Sequence, residues 1–368
     1  MLSSKKIIYI YLYFVDKRIK ELDILRILAM LFVITFHFGY QYITAGLPCF
    51  NFFYTTVNYD FGNIAVTIFI AISGGILYKK YGTVNSFDKN SLKKFYLKRA
   101  KAIYPPFWIL SLYIPLTMLR HFITEGNAFF MGHPLTLLFT VVGFDGYVKA
   151  YGINTYAFCG DWFVGAILLL YILFPMLAKC YRKFPAITLG ALAVLYALQY
   201  SIPAKYDDLF SSLPVTIVFK FCLGFFLVEN LEKLRKFRVA LISFITFTFI
   251  SFVDIPGRIN TDCLGFIAAI ALFVVVFNLA PYLLRLKAVN VPLEKLVTLS
   301  YCVFLVQHVG IVWAKFAFVK IFAMQHWNFT AWNVSVLLVL TFAAIIAATW
   351  ILKRISDWTS KQVSKFLS

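Results

Sequence analysis

The chain has 368 residues, of which 61% are hydrophobic and only 14% are charged, and its formal net charge is +19. A soluble globular domain has an apolar share nearer half and a charged share nearer a quarter, so this composition excludes an ordinary soluble protein. It predicts an all-α polytopic membrane protein with ten segments long enough to cross a bilayer as helices.

The ten predicted spans are residues 22–43, 61–81, 103–119, 161–181, 185–202, 212–230, 238–255, 262–286, 298–322 and 330–353. The longest connection between consecutive predicted spans covers about residues 120–160. We predict one transmembrane domain over 21–355, a cytoplasmic or interfacial segment over 1–20 and a cytoplasmic tail over 356–368. The apolar stretch 7–15 is too short to span, and no cleavage site of small residues follows it, so we do not interpret it as a signal peptide.

The basic residues concentrate in alternate connections. With the N-terminus in the cytoplasm, most of the 35 basic residues fall on the cytoplasmic side, including a dense group in 79–101. This distribution obeys the positive-inside rule and predicts that both termini are cytoplasmic. The high positive charge therefore reports membrane topology and gives no support to nucleic-acid binding.

The first predicted span carries an arginine and a histidine on one face. Arg26 and His37 are eleven residues apart, close to three helical turns, so they point about 20° apart. Ionisable side chains in hydrocarbon usually mark a substrate path or a reaction centre. Arg26 at the cytoplasmic end suits an anionic ligand, and an imidazole about 16 Å further along suits a proton transfer. The alternative is a buried ion pair of Asp23 with Arg26.

Two features of the next spans suit a long anionic ligand. Ser73 and Gly74 allow close approach of an elongated ligand or, alternatively, of another helix. Arg99 and Lys101 belong to a basic group just before the prolines at 105–106, which we place in the first turn of the third span. There they would attract phosphate together with the positive helix end. Topological charge bias is the competing explanation for each basic residue.

The predicted outer face has aromatic rings interleaved with carboxylates between residues 144 and 162. The candidates are Asp145, Tyr151, Asp161 and Trp162. Rings stack on sugars and carboxylates accept hydrogen bonds from hydroxyl groups, so this pattern favours a carbohydrate surface. An interfacial aromatic belt is the alternative.

Three further polar residues occur in later spans. His308 and Lys315 lie seven residues apart on one face of the ninth span, and Lys220 lies near the middle of the sixth. They are candidates for lining one internal cavity, although snorkelling is an alternative for either lysine. The six cysteines show no metal-ligand spacing, and no nucleotide-binding loop is present, so we predict neither a metal site nor nucleotide hydrolysis.

Five segments in chain order resemble the acyltransferase 3 family of bacterial membrane acyltransferases. The segments are LDILRILAMLFVITFH with Arg26 and His37, SGGIL, KRAKAIYPPFW, GDWFVGAILLLYILFP with Trp162 and Tyr171, and SYCVFLVQH with Ser300, Tyr301 and His308. The chain departs from the family where Gly75 replaces a frequent Phe and Ala102 replaces a frequent Arg.

The resemblance implies transfer of an acyl group, commonly acetyl, from cytosolic acyl-CoA to a sugar hydroxyl outside the bacterial plasma membrane. The acceptor would be an envelope glycan or a lipid-linked saccharide, and no metal is implied. The implied roles are catalysis for His37, acyl-CoA binding for Arg26, Ser73, Gly74, Arg99 and Lys101, and acceptor binding for Asp145, Tyr151, Asp161, Trp162 and His308. A transporter of a glycan or lipid-linked saccharide is the main alternative, and a glycan polymerase is a third.

Overall fold

The computed structural model describes residues 18–82, 88–157, 162–201, 212–255 and 260–366. In these ranges the chain is mostly helical and forms no β-strand beyond an isolated bridge between Thr55 and Asp60. The prediction of an all-α protein is confirmed.

The helices are numbered here in chain order. They are α1 (Lys20–Ile43), α2 (Phe61–Leu77), α3 (Lys89–Ser111), α4 (Tyr113–Glu125), α5 (Leu137–Val142), α6 (Asp145–Lys149), α7 (Phe163–Lys183), α8 (Pro185–Leu198), α9 (Pro214–Glu229), α10 (Leu231–Leu234), α11 (Phe237–Phe252), α12 (Thr261–Leu283), α13 (Lys287–Met324) and α14 (Ala331–Phe366). A π-helical turn, Tyr78–Gly82, extends α2.

Within the described part of the chain, seven helices are long and apolar enough to cross a membrane. They are α1, α2 with its π turn, α3 continued by α4, α7, α12, α13 and α14. Each of the ten predicted spans coincides with a helix. Helices α8, α9 and α11 are shorter than the seven helices named above and are not among them. A polytopic membrane protein is therefore confirmed, whereas the count of ten crossings and the side of the termini stay predictions.

The predicted start of the third span is wrong. Helix α3 begins at Lys89, where Asp88 caps it by accepting a hydrogen bond from the backbone N–H of Ser91. The prolines at 105–106 therefore lie inside the helix, and the basic group is not at a helix N-terminus. Hydropathy marks the apolar part of a helix, whereas Lys, Arg and Leu have high helix propensity and extend it beyond that part.

The last two helices also extend beyond the predicted spans. Helix α13 begins at Lys287, although its predicted span begins at residue 298, and α14 continues to Phe366, although its predicted span ends at residue 353. Helix propensity does not account for the α14 extension, because most of its residues are of types with lower propensity, such as Ser, Thr and Asp. The stretch that we predicted as a tail is helical as far as residue 366.

Helix α1 lies between two apolar clusters. One side packs with α2, α7, α9 and α12, and the other packs with α13 and α14. On the first side, the residues of α1 are Leu22, Leu25, Ala29 and Val33. On the second side, they are Met30, Ile34, Phe38 and Tyr42. The polar residues of α1 are therefore held inside the bundle by neighbours on both sides.

Helices α2 and α9 touch through their backbones. A Cβ atom added at Gly74 would lie 2.2 Å from the carbonyl oxygen of Phe221, and one at Gly224 would lie 1.9 Å from that of Ala71. Small residues at such contacts let membrane helices approach closely. The structure thus supports the packing interpretation of Gly74, and the contact brings Lys220 of α9 beside α2.

The predicted orientation can be tested by cysteine-accessibility labelling. In a variant without native cysteines, Lys93→Cys and Lys361→Cys should react only from the cytoplasmic side, and Tyr151→Cys only from outside, because of the positive-inside rule. All three positions are exposed in the structure. Labelling of Lys93→Cys from outside would contradict the orientation and separate the basic group from cytosolic acyl-CoA.

Candidate active site

Three cavities lie in series within the bundle. The Arg26 cavity has a volume of 230 Å³, the His37 cavity 190 Å³ and the His308 cavity 410 Å³. Adjacent cavities share wall residues: Phe163 and Phe304 line the first two, and Trp162 lines the second and third. The order along this series follows α1 from its predicted cytoplasmic end to its predicted outer half.

An aromatic pair separates the Arg26 cavity from the His37 cavity. The ring centroids of Phe163 and Phe304 are 4.4 Å apart, and both side chains are buried. Side chains can change rotamer without any change of backbone. A rotamer change of these two rings would therefore alter the wall that the two cavities share.

The Arg26 cavity has a cationic and hydroxyl-lined wall. Nη1 of Arg26 lies 3.6 Å from Oδ1 of Asp23. The other carboxylate oxygen of Asp23 pairs with Arg18. The hydroxyl groups of Ser73 and Tyr171 are 3.4 Å apart. The ion pair that we gave as the alternative for Arg26 is thus present, but Asp23 has a second cationic partner, Arg18, and Arg26 also lines the cavity.

Arg99 lies beside this cavity. Its guanidinium carbon is 5.7 Å from the centroid of the Tyr171 ring, which lines the cavity. Its Nε atom is buried and has no hydrogen-bond partner among the described residues. The other two predicted acyl-CoA residues lie elsewhere: Gly74 faces α9, and Lys101 is exposed on α3.

His37 meets His308 at the next level of the bundle. Their ring centroids are 5.4 Å apart and the rings are nearly perpendicular, at 86°. His37 lines its own cavity, and His308 lines the larger cavity beyond it. The sequence predicted each histidine separately, and the structure brings them into contact across α1 and α13.

The His37 cavity also contains a polar set that the sequence analysis only partly identified. Asp60, Asn63 and Asp262 line it together with Lys220, which we had singled out as a cavity candidate. Asp60 stands at the N-cap of α2, and Asp262 lies in the first turn of α12. Carboxylates are common at helix N-termini, so these two gave no separate signal in the sequence.

The predicted acceptor residues do not form one surface. Asp145 is 2% exposed and accepts a hydrogen bond from the backbone N–H of Gly146. The hydroxyl of Tyr151 donates to the carbonyl oxygen of Ser212, 3.1 Å away. Asp161 lies outside the described residues. Of the remaining two predicted acceptor residues, Trp162 lines two cavities and His308 lines one.

One comparison with known proteins finds a match over most of the chain. A family model described as an acyltransferase domain, that of acyltransferase 3, matches residues 19–354. The chain belongs to the acyltransferase 3 family. No curated protein and no solved structure matches the chain.

The family segments of this acyltransferase converge on the three cavities. The Arg26 cavity takes residues from α1, α2, α7 and α13, namely Arg26, Ser73, Tyr171, Ser300 and Tyr301. His37 and Trp162 line the middle cavity, and His308 lines the last. Segments almost 300 residues apart in sequence therefore contribute to neighbouring cavities of the acyltransferase.

The buried Asp145 predicts a pH dependence of stability. Burial raises the pKa of its carboxyl group from 3.8 to about 6. The folded state therefore binds more protons than the unfolded state between these values, and the free energy of unfolding falls as the pH rises from 4 to 7. At 1.36 kcal/mol per pKa unit, the loss is at most about 3 kcal/mol.

Asp145→Asn should remove this loss, because the amide oxygen still accepts the Gly146 hydrogen bond and carries no charge. We expect the thermal midpoint of Asp145→Asn to exceed that of the wild type at pH 7.5 and to equal it near pH 4. Asp88→Asn is the control with the opposite sign, since hydrogen bonds from Ser91 lower the pKa of Asp88. Equal midpoints of wild type and Asp145→Asn at both pH values would contradict the assignment.

Proposed function

We propose that this acyltransferase moves an acyl group, specifically acetyl, from cytosolic acyl-CoA to a hydroxyl group of a cell-envelope or surface polysaccharide at the bacterial plasma membrane. The observation that carries the proposal is the shared wall between the Arg26 and His37 cavities. It supports a route by which the acyl end of a donor bound at the cytoplasmic side can reach the half-buried imidazole of His37.

The donor site is the Arg26 cavity. Guanidinium groups bind phosphates through a planar fork of charge-assisted donors, and Arg26 and Arg99 bring two of them to this cavity. The narrow pantetheine arm would then extend past Ser73 towards Phe163 and Phe304. The large nucleotide part of acyl-CoA would remain at the cytoplasmic end, where the basic residues of 79–101 concentrate.

The chemistry takes place at His37. Its imidazole accepts the proton of an acceptor hydroxyl while that oxygen attacks the thioester carbonyl carbon, so a new C–O bond forms. The C–S bond then breaks, and the imidazolium returns the proton to the CoA thiolate. Transfer through an acyl-His37 intermediate would instead form a C–N bond to the imidazole as the C–S bond breaks, and then break that C–N bond as the acceptor oxygen forms the C–O bond. The perpendicular ring of His308 restricts how the His37 ring can turn.

The surface glycan of the source cell provides the test in its natural setting. Mass spectrometry should show that deletion of this chain removes an increment of about 42 Da per modified residue, the mass that an acetyl group adds, and that the wild-type chain restores it. A glycan that disappears from the surface altogether would favour the transporter. An unchanged glycan would refute acetylation.

A further inference from the structure

We propose that Lys220, Asp60 and Asp262 form an acceptor subsite that holds a neutral, hydroxyl-rich sugar ring against His37. This inference rests on the proposed function and adds to it the residues and the chemical class of the acceptor. The three side chains come from α9, α2 and α12, and all three line the His37 cavity.

Asn63 links the three charged groups. Its backbone N–H donates to Oδ1 of Asp60 at 2.7 Å, and its side-chain amide donates to Oδ1 of Asp262. Its own Oδ1 accepts a hydrogen bond from Nζ of Lys220 at 3.4 Å. Both carboxylates also attract the Lys220 ammonium group. The network thus fixes the directions in which the charged atoms face the cavity.

The burial of Lys220 between two partly buried carboxylates argues against a purely structural role. Lys220 is 1% exposed, and a buried charge costs several kcal/mol unless its partners compensate for it. Well-packed apolar side chains would stabilise a membrane bundle at least as well as buried ions do. Here the ions border an open cavity beside His37, and ionisable residues inside a membrane domain usually serve a substrate.

The chemistry of the subsite selects its ligand. Carboxylates accept hydrogen bonds from sugar hydroxyl groups, and an ammonium group donates to hydroxyl and ring oxygens. The three side chains carry one positive and two negative charges, so they repel a sugar with its own carboxylate. The cavity volume of 190 Å³ lies below the about 300 Å³ at which pockets for drug-sized ligands begin, which suits one ring. Trp162, shared with the His308 cavity, can stack on the next sugar.

The test measures acetyl transfer by the purified full-length protein from acetyl-CoA to simple glycosides. The probes are the 4-methylumbelliferyl glucoside, galactoside and mannoside, each compared with the matching uronide. We expect the wild type to acetylate at least one neutral glycoside and to prefer it to its uronide. Lys220→Gln should raise the KM for the glycoside about 10- to 100-fold, as expected for one lost charge-assisted contact, with the KM for acetyl-CoA unchanged within about twofold.

Two further variants separate binding from folding. Asp262→Asn keeps the shape and the hydrogen bond from Asn63 but removes one negative charge, so it should reduce the preference for the neutral glycoside over the uronide. Lys320→Gln is the matched control, because Lys320 is exposed on α13 and lines none of the three cavities. Lys320→Gln should leave the KM for the glycoside unchanged. If Lys220→Gln does not fold, the change in glycoside preference of Asp262→Asn tests the subsite.

The outcomes distinguish the subsite from the proposed function. Wild-type KM values and preferences in both variants would overturn the subsite and leave acyl transfer intact. A wild type that acetylates surface glycan but no neutral glycoside, or that prefers the uronide, would also overturn the subsite alone. A wild type that acetylates neither glycosides nor surface glycan would overturn the proposed function and the subsite with it.

Discussion

His37→Ala is expected to lower the rate of acyl transfer at least about a hundredfold, because positioned general bases typically contribute 10²- to 10⁴-fold. His37 lies on the wall of the middle cavity, where a donor from one side and an acceptor from the other can meet. Any route through an acyl-His intermediate would be abolished too. The measurement is glycan acetylation in cells together with the rate of transfer by purified protein.

The control for this variant is His121→Ala. His121 lies on α4 and pairs with Glu125 near the surface, so its removal should leave the rate unchanged. Normal expression and an unchanged thermal midpoint of His37→Ala would show that the loss is chemical. Retained glycan acetylation by folded His37→Ala would contradict the mechanism, and loss of the folded protein would indicate a structural role for His37.

Arg26→Ala should mainly weaken the binding of acyl-CoA. A lost charge-assisted contact costs about 1.5 to 3 kcal/mol, which corresponds to roughly 10- to 100-fold in affinity. Arg18 still pairs with Asp23 after the substitution, so an unpaired buried carboxylate does not complicate the result. Arg99→Ala is expected to act in the same direction.

Isothermal titration of purified protein with acetyl-CoA measures this loss. Arg26→Lys should recover only part of the affinity, because an ammonium group keeps the charge without the planar fork. His37→Ala should bind nearly as tightly as the wild type, and so should Arg120→Ala, whose arginine is exposed on α4. Equal affinities of wild type, Arg26→Ala and Arg99→Ala would refute the donor site and favour the transporter.

Helical periodicity was enough to select two residues of α1 that line adjacent cavities. Arg26 and His37 lie on one helix, and a spacing of eleven residues places them on one face whatever the rest of the chain does. The structure adds that the two residues line adjacent cavities. Local patterns predict such relations because they depend only on the geometry of one helix.

The polar network around His37 could not be predicted in the same way. Asp60 and Asp262 are about 200 residues apart and meet because α2 and α12 begin at the same end of the bundle. No sequence period connects such residues. The close approach of α2 and α9 at Gly74 and Gly224 also depends on which helices are neighbours. The sequence therefore left open whether Gly74 approaches a ligand or another helix.

The outer carbohydrate surface shows a different limit of sequence analysis. Asp145 and Tyr151 have side chains suited to sugars, but the fold uses Asp145 and the Tyr151 hydroxyl for hydrogen bonds within the protein. Trp162 and His308 face cavities instead. Composition predicts which chemistry a segment can offer, and only the packing of the segment determines where each side chain points.

Transfer across the membrane domain can be measured directly in proteoliposomes that hold labelled acetyl-CoA on the side of the basic 79–101 stretch and an acceptor glycan on the other side. We predict that label appears in ester linkage on the glycan, that the free CoA released stays on the donor side with the unreacted acetyl-CoA, and that His37→Ala abolishes the label. Label that appears on the glycan only when acetyl-CoA and acceptor share one side would contradict the account.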